Sequence, residues 1–352
     1  MGRFRLLLVH EFKLLRTAVP IHVVAILQPT IMFILMSVIL VFPTFDMQVA
    51  GPLGGEEGAL MAAMTEVGSP IGLPYIRPVL VGWNGGQIAR QVIRVEDRDG
   101  VPTAVQYYGL IDSNLVKNLR NRLTAAGLVL WNKDLGARGV TVVEHPWLPR
   151  DVPYAVYFGM AMLPMAAFVA ASMLGAVLTA QEFEFGTIAE YRLAPAPASL
   201  ILGARLTRLV LSAFVGATIM LIAVGIVTGV WPDSPWLVAV ILLPVAVVAA
   251  CLGMLAGLVI QKTIPAFLVA LVSSFVGWLL GSAFGLAAGF SAGYERVSRF
   301  TPFTHAAELL FPRYYGIAIG TPWLSALVLA TFAAAMLVLT AVIYRWRVKK
   351  QA

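Results

Sequence analysis

The sequence predicts a polytopic α-helical membrane protein with about six spans, both termini cytoplasmic, and a small α+β extracytoplasmic domain between the first two spans. Three observations carry that prediction. Of 352 residues, 59% are hydrophobic and 12% charged, with a mean hydropathy of +0.85, too apolar for a water-soluble globule. Apolar runs long enough to cross a bilayer recur along the chain and are separated by short polar turns. Basic residues gather at the ends of those runs, so the net charge of +7 reports topology and not a nucleic-acid partner.

Residues 1–18 read as an interfacial amphipathic helix. Phe4, Leu7, Leu8, Phe12 and Leu15 share one helical face, and Arg3, Arg5, His10, Lys13 and Arg16 crowd the other, the layout of a helix lying in a membrane surface. A plain basic flank that orients the first span explains the charges but not the apolar stripe. Residues 19–42 form that span, with His22 near its entrance and Pro29 as a kink. The run exceeds a signal-peptide core and no small-residue cleavage pattern comes after it, so it is expected to be retained.

Residues 43–152 have the composition of a soluble fold. Strands are expected at 79–83, 91–95 and 101–108, separated by the turn sequences Asn84-Gly85-Gly86 and Asp97-Arg98-Asp99-Gly100, with a closing strand at 139–143. A short helix is expected at 56–65. Asp112-Ser113 caps a longer helix with Leu115, Leu119, Leu123 and Ala126 inward and Lys117, Arg120 and Arg122 outward.

Residues 153–344 carry spans two to six, as runs 152–180, 206–230, 237–260, 264–290 and 324–344. Arg205 and Arg208 mark a cytoplasmic start, Trp231 to Trp236 an outer turn with interfacial tryptophans, and the basic tail 345–352 a cytoplasmic end. In the fifth run Ser273, Gly277, Gly281, Gly285, Gly289 and Gly293 recur every fourth residue, a ridge that admits another helix at backbone contact. Packing inside the bundle is the first reading of that ridge, and a subunit or substrate-path face the second. Residues 293–322 mix aromatics with Arg296, Arg299, His305, Glu308 and Arg313 and read as re-entrant or interfacial helices at the outer face.

The loop 181–205 is the one charged stretch between long apolar runs on the cytoplasmic side. Glu182, Glu184 and Glu190 alternate with Phe183, Phe185, Ile188 and Tyr191, a surface suited to a soluble protein. Gly186-Thr187 bends the chain and caps a succeeding helix through the Thr hydroxyl, and Pro195 and Pro197 stop it. A solvated hairpin is the alternative. The pattern Glu182-x-Glu184-x-Gly186-Thr187, then Leu193-x-Pro195 and Arg205 at the next run, resembles the first cytoplasmic loop of type-2 ABC exporter permeases. Phe183 departs from that family, which usually has a basic residue between the two acids. Pro302-x-Thr304 with Glu308 resembles the segment before the final span of the same family.

The resemblance implies a coupling helix seated on an ATP-binding cassette subunit, with Glu182, Glu184, Gly186, Thr187, Glu190 and Arg192 at the contact. It further implies two permease chains, identical or related, working with two cassettes in the lipid of a prokaryotic cytoplasmic membrane. ATP and magnesium belong to the partner on this reading, and the chain itself is expected to be no enzyme and to hold no cofactor. No Gly-x-x-x-x-Gly-Lys-Ser/Thr phosphate loop, His-Glu-x-x-His or Gly-x-Ser-x-Gly sequence occurs. Cys251 is the single cysteine, and the four histidines stand without a second ligand at metal spacing. The nearly uncharged spans suit an apolar or amphipathic cargo such as a lipid, a lipid-linked molecule or a drug, and lipid contact requires the same composition. The alternative class is an ion-coupled carrier or channel, which needs titratable groups near mid-membrane. A third reading gives the outer domain a role in passing cargo to another envelope protein.

Overall fold

The computed structural model describes residues 2–13, 19–40, 45–50, 56–67, 76–81, 91–99, 101–108, 113–135, 154–188, 197–281, 283, 292–316, 318 and 321–350. These fall into two compact units, residues 1–39 with 153–352, and residues 40–152.

The smaller unit is an α/β fold with a four-stranded sheet in the order β2-β1-β3-β4. Its strands are β1 (Phe45–Ala50), β2 (Ile76–Val81), β3 (Gln91–Arg98) and β4 (Val101–Tyr108). β1 lies parallel to both β2 and β3, and β3 and β4 form an antiparallel hairpin. Asp99 turns that hairpin at φ 57°, the left-handed conformation that a two-residue hairpin loop requires. Pro78 sits in β2, an edge strand, where its missing N–H costs the ladder least. Val49, Ile76 and Ile93 meet Leu60, Ala63 and Met64 of α3 (Glu56–Glu66) and Ala126 of α4 (Ser113–Leu135) in one core. A Lys133–Glu66 ion pair ties the two helices at the surface. The expected hairpin and both helices are present, and β1, which was not expected, runs beside the middle of the sheet. The expected strand at 139–143 lies outside the described residues, as do the side chains of Leu115, Lys117, Leu119 and Arg120.

The larger unit contains α1 (Gly2–Lys13), α2 (Val19–Leu40), α5 (Tyr154–Glu184), α6 (Ala198–Thr228), α7 (Pro235–Ile260), α8 (Thr263–Gly281), α9 (Ala292–Ser298), α10 (Pro302–Tyr315) and α11 (Pro322–Lys350). Among the described residues, α2, α5, α6, α7, α8 and α11 are long and apolar enough to cross a membrane, so the chain is a multi-pass helical membrane protein.

α5 is the axis of the bundle, buried along its whole apolar length and packed against α6, α7, α8 and α10. Backbone contact makes that possible. A methyl group at Gly253 of α7 would stand 2.0 Å from the Ser172 carbonyl oxygen, and one at Gly257 would stand 2.7 Å from that of Ala176. Gly253 and Gly257 are four apart, the small-residue spacing of close helix crossings. A buried Ser172–Ser274 hydroxyl contact of 2.9 Å joins α5 to α8, and Trp278 donates from its indole nitrogen to the Ala161 carbonyl at 3.1 Å. Both satisfy polar groups that lipid could not.

Several helix boundaries differ from expectation, and α11 continues through the basic segment to Lys350. α5 continues to Glu184 and not only to residue 180, because Gln181 and Phe183 still accept backbone hydrogen bonds at its end. α6 begins at Ala198, so Arg205 and Arg208 lie inside the helix and not at its head. α8 ends at Gly281, so Ser273, Gly277 and Gly281 of the fourth-residue ridge share one helix, and Gly293 belongs to α9. Gly277 and Gly281 of that ridge pack internally, their faces filled by the Phe303 ring and Thr301 of α10. Gly285 and Gly289 lie outside the described residues.

Candidate functional site

The loop predicted to meet a partner begins as the last turn of α5. Gly186 then adopts φ +73°, the left-handed conformation that ends helices and favours glycine. Nothing lies within 4 Å of where its side chain would be. Phe185 is 71% exposed, and Gly186 and Thr187 are exposed with it, while Ile188 turns back into the protein. Glu190 and Arg192 lie outside the described residues.

Of the two glutamates before this tip, Glu182 points inward and Glu184 stays at the surface. Glu182 is buried and takes both terminal nitrogens of the Arg205 guanidinium, Nη1 at 2.8 Å and Nη2 in a closer contact. Such a forked pairing is the strongest geometry open to a carboxylate and an arginine. Arg205 Nε also stands 3.6 Å from Glu11 of α1. The other Glu11 oxygen accepts from Arg208 Nη1 at 3.0 Å. Arg208 Nη2 lies 3.1 Å from His22 Nε2. A guanidinium only donates, so that His22 nitrogen accepts and the ring proton belongs on Nδ1.

Two carboxylates and two guanidiniums therefore neutralise one another within a site where both arginines are 1% exposed. Single unpaired charges could not be buried there. The joint binds α1, α2, α5 and α6, and the buried Tyr344 ring of α11 is within electrostatic reach of Arg205, Glu182 and Glu11.

Glu184 makes a second tie. Its carboxylate accepts from the Thr263 backbone N–H at 2.9 Å and from the Thr263 hydroxyl, holding a negative charge at the α8 N-terminus, where the helix dipole favours it. The exposed tip is thus anchored through Glu182 to α6 and through Glu184 to α8.

α1 packs on α6 through the face bearing Phe4, Leu7, Leu8 and Glu11, and the Phe4 ring lies under Gly203. Leu6, Val9 and Phe12 are exposed together with Arg5, His10 and Lys13. The division differs from the expected one, because Phe12 faces out and the charged Glu11 faces in. The Arg3 side chain and Arg16 lie outside the described residues.

The predicted outer segment is helical. Thr301 caps α10, accepting from the Thr304 N–H at 3.4 Å, and Pro302 takes the first helical position. The Thr304 hydroxyl lies 2.8 Å from the carbonyls of Gly281 and Ser298, joining α8, α9 and α10. Glu308 accepts from the Ser325 hydroxyl of α11. Arg313 pairs with Asp233 of the α6–α7 turn at 3.3 Å. Burial pushes the Tyr314 and Tyr315 phenols above their usual range, and a hydrogen bond to Glu295 raises Arg299. Among the described residues no group of His, Cys, Asp and Glu is placed to hold a metal.

Sequence analysis passed over Glu11 and read Arg205 and Arg208 as topological charges. Their signal was present, since Glu11 comes four positions after Leu7 on the apolar stripe and Arg205 and Arg208 are one turn apart in an apolar helix.

Comparison with curated proteins returns no match. A family model described as ABC-2 family transporter protein matches residues 104–342, which takes in most of β4, all of α4 to α10 and the greater part of α11. With six candidate spans, α5 among them, and this match over more than half of its length, the chain belongs to the ABC-2 transporter family as a membrane subunit.

Proposed function

We propose that this subunit exports an apolar or amphipathic molecule, driven by ATP hydrolysed on a separate cassette subunit seated on the Glu184 to Thr187 tip. Membership of the family implies an ATP-binding partner in general terms. The observation that carries the specific reading is the mounting of the tip. Phe185, Gly186 and Thr187 are exposed, while the residues before them are held by Arg205 and Thr263. A push on Phe185 would be delivered to α5, α6 and α8 together and, through Glu11, to α1. A hydrophobic side chain so exposed beside charged groups also suits a protein contact.

On this reading the Arg205 end of the bundle is cytoplasmic, the 40–152 unit is extracytoplasmic, and two permease chains work with two cassettes in a cytoplasmic membrane. Catalysis, ATP and magnesium belong to the cassette. The test is gentle affinity purification of the full chain from its native membrane, beside Phe185→Asp and Glu184→Arg variants. An ATPase subunit should accompany the parent chain and be lost with Phe185→Asp. Glu184→Arg should retain membrane insertion but separate ATP hydrolysis from transport. If no ATPase accompanies the folded parent chain, the reading fails, and flux driven by an ion gradient becomes the assay for the carrier alternative.

A further inference from the structure

At the other end of the larger unit, the turn after α9 together with α10 and α11 lines a half-open cavity of about 270 Å³, bounded by Arg299, His305, Glu308, Thr321, Leu324, Ser325 and Val328. Its hydrogen bonding has a direction. His305 Nε2 lies 2.9 Å from the Arg299 carbonyl, so that nitrogen carries the proton. In the neutral ring Nδ1 then offers a lone pair, 3.4 Å from the Ser325 Oγ and 4.0 Å from Glu308 Oε2. Ser325 has one hydrogen and gives it to Glu308. The imidazole nitrogen therefore faces two oxygens with no hydrogen left between them, and Glu308 Oε1 accepts from no donor among the described residues.

Arg299 at the rim is bonded to Glu295 and lies within electrostatic reach of Glu308, so that two carboxylates share this one guanidinium. Leu324 and Val328, one turn apart on α11, form an apolar wall that continues onto the exposed face of that helix. Acceptors at one end and hydrocarbon at the other ask for an amphiphile with a donor-rich cationic head.

We propose that this cavity binds the ammonium head of a long-chain primary amine, with Glu308 as its counter-ion, Ser325 and His305 Nδ1 as further acceptors, and the chain laid along Leu324 and Val328. The volume suits a head group and its first carbons, not a whole lipid. Two sources share this chemistry, a free cationic amphiphile and an amine-headed bilayer lipid. The site stands apart from the cassette-driven reading, because binding here needs no ATP.

The experiment is equilibrium binding of radiolabelled dodecylamine to the full chain in phosphatidylcholine nanodiscs, counting the component displaced by unlabelled amine, beside dodecanol and dodecanoate as neutral and anionic competitors. Saturable binding is expected, with dodecylamine a stronger competitor than either control. Glu308→Gln should weaken it about tenfold or more, the loss of one charged hydrogen bond, while leaving thermal stability near that of the parent. Val328→Trp, which fills the apolar side without touching the acceptors, should weaken amine and alcohol alike. Repeating the titration in nanodiscs containing phosphatidylethanolamine separates the sources. A raised apparent Kd assigns the site to an amine-headed lipid, and an unchanged Kd to a separate amphiphile. Absence of saturable binding, binding indifferent to Glu308→Gln, or stronger competition by dodecanoate would overturn the proposal.

Discussion

The two ends of the helical bundle bury charge in opposite ways. At one, Glu11, Glu182, Arg205 and Arg208 balance in number and share close contacts. At the other, about 28 Å away along α11, Glu308 is met by one serine hydroxyl and opens on a cavity. A balanced cluster holds helices together and leaves little for a ligand to satisfy. An under-satisfied carboxylate holds less and leaves an acceptor for something that enters. The first arrangement suits a mechanical joint, and the second a binding site.

The largest effect should come from unbalancing the joint. Arg205→Leu leaves Glu182 buried without its forked partner and should destabilise the protein by about 3–5 kcal/mol. Adding Glu182→Leu should recover part of that loss, because two apolar groups in place of a buried pair cost less than one stranded charge. Denaturant unfolding in detergent reads both, and a double variant no more stable than the single would show that the pair is not the unit that matters.

Between the two ends, Gly253→Ala drives a methyl group into the Ser172 carbonyl. The expected cost is about 1–3 kcal/mol, as α5 and α7 separate. Cysteine cross-linking across that crossing should weaken in step, and unchanged cross-linking with unchanged stability would count against the close approach.

Gly186→Ala meets no atom within 4 Å and acts only through its positive φ. It should cost about 1–2 kcal/mol locally and increase protease cleavage at the tip without shifting global unfolding. Ser325→Ala, at the cavity end, should be mildest at about 0.5–1.5 kcal/mol, since water can enter beside Glu308. A Ser325→Ala loss as large as that of Arg205→Leu would erase the distinction between the two ends.

Legibility in the sequence depends on physical range. The spans, the hairpin at Asp97 to Gly100 and the bend at Gly186 depend on residues adjacent in sequence, and all were legible. β1 was missed because a six-residue strand whose partners are both parallel has no turn beside it to announce the pairing. The α5–α7 crossing was not legible, because Gly253 and Gly257 gain meaning only against Ser172 and Ala176, which are distant in sequence. At the loop, charge in a polar stretch implied exposure for Glu182, and only Arg205 draws it inward.

The sequence by itself determined the multi-pass helical class and the approximate place of each span, because hydropathy over about 20 residues settles whether a segment can leave water. It also marked the Glu182 to Thr187 stretch as unlike its surroundings. Tertiary structure alone decided which charges meet. Arg208 reaches Glu11 across 197 positions and His22 across 186, and no local pattern specifies such partners. A buried charge is stable only where folding brings its counter-charge, so whether Glu11 lies at a surface or in a joint is a property of the packed helices.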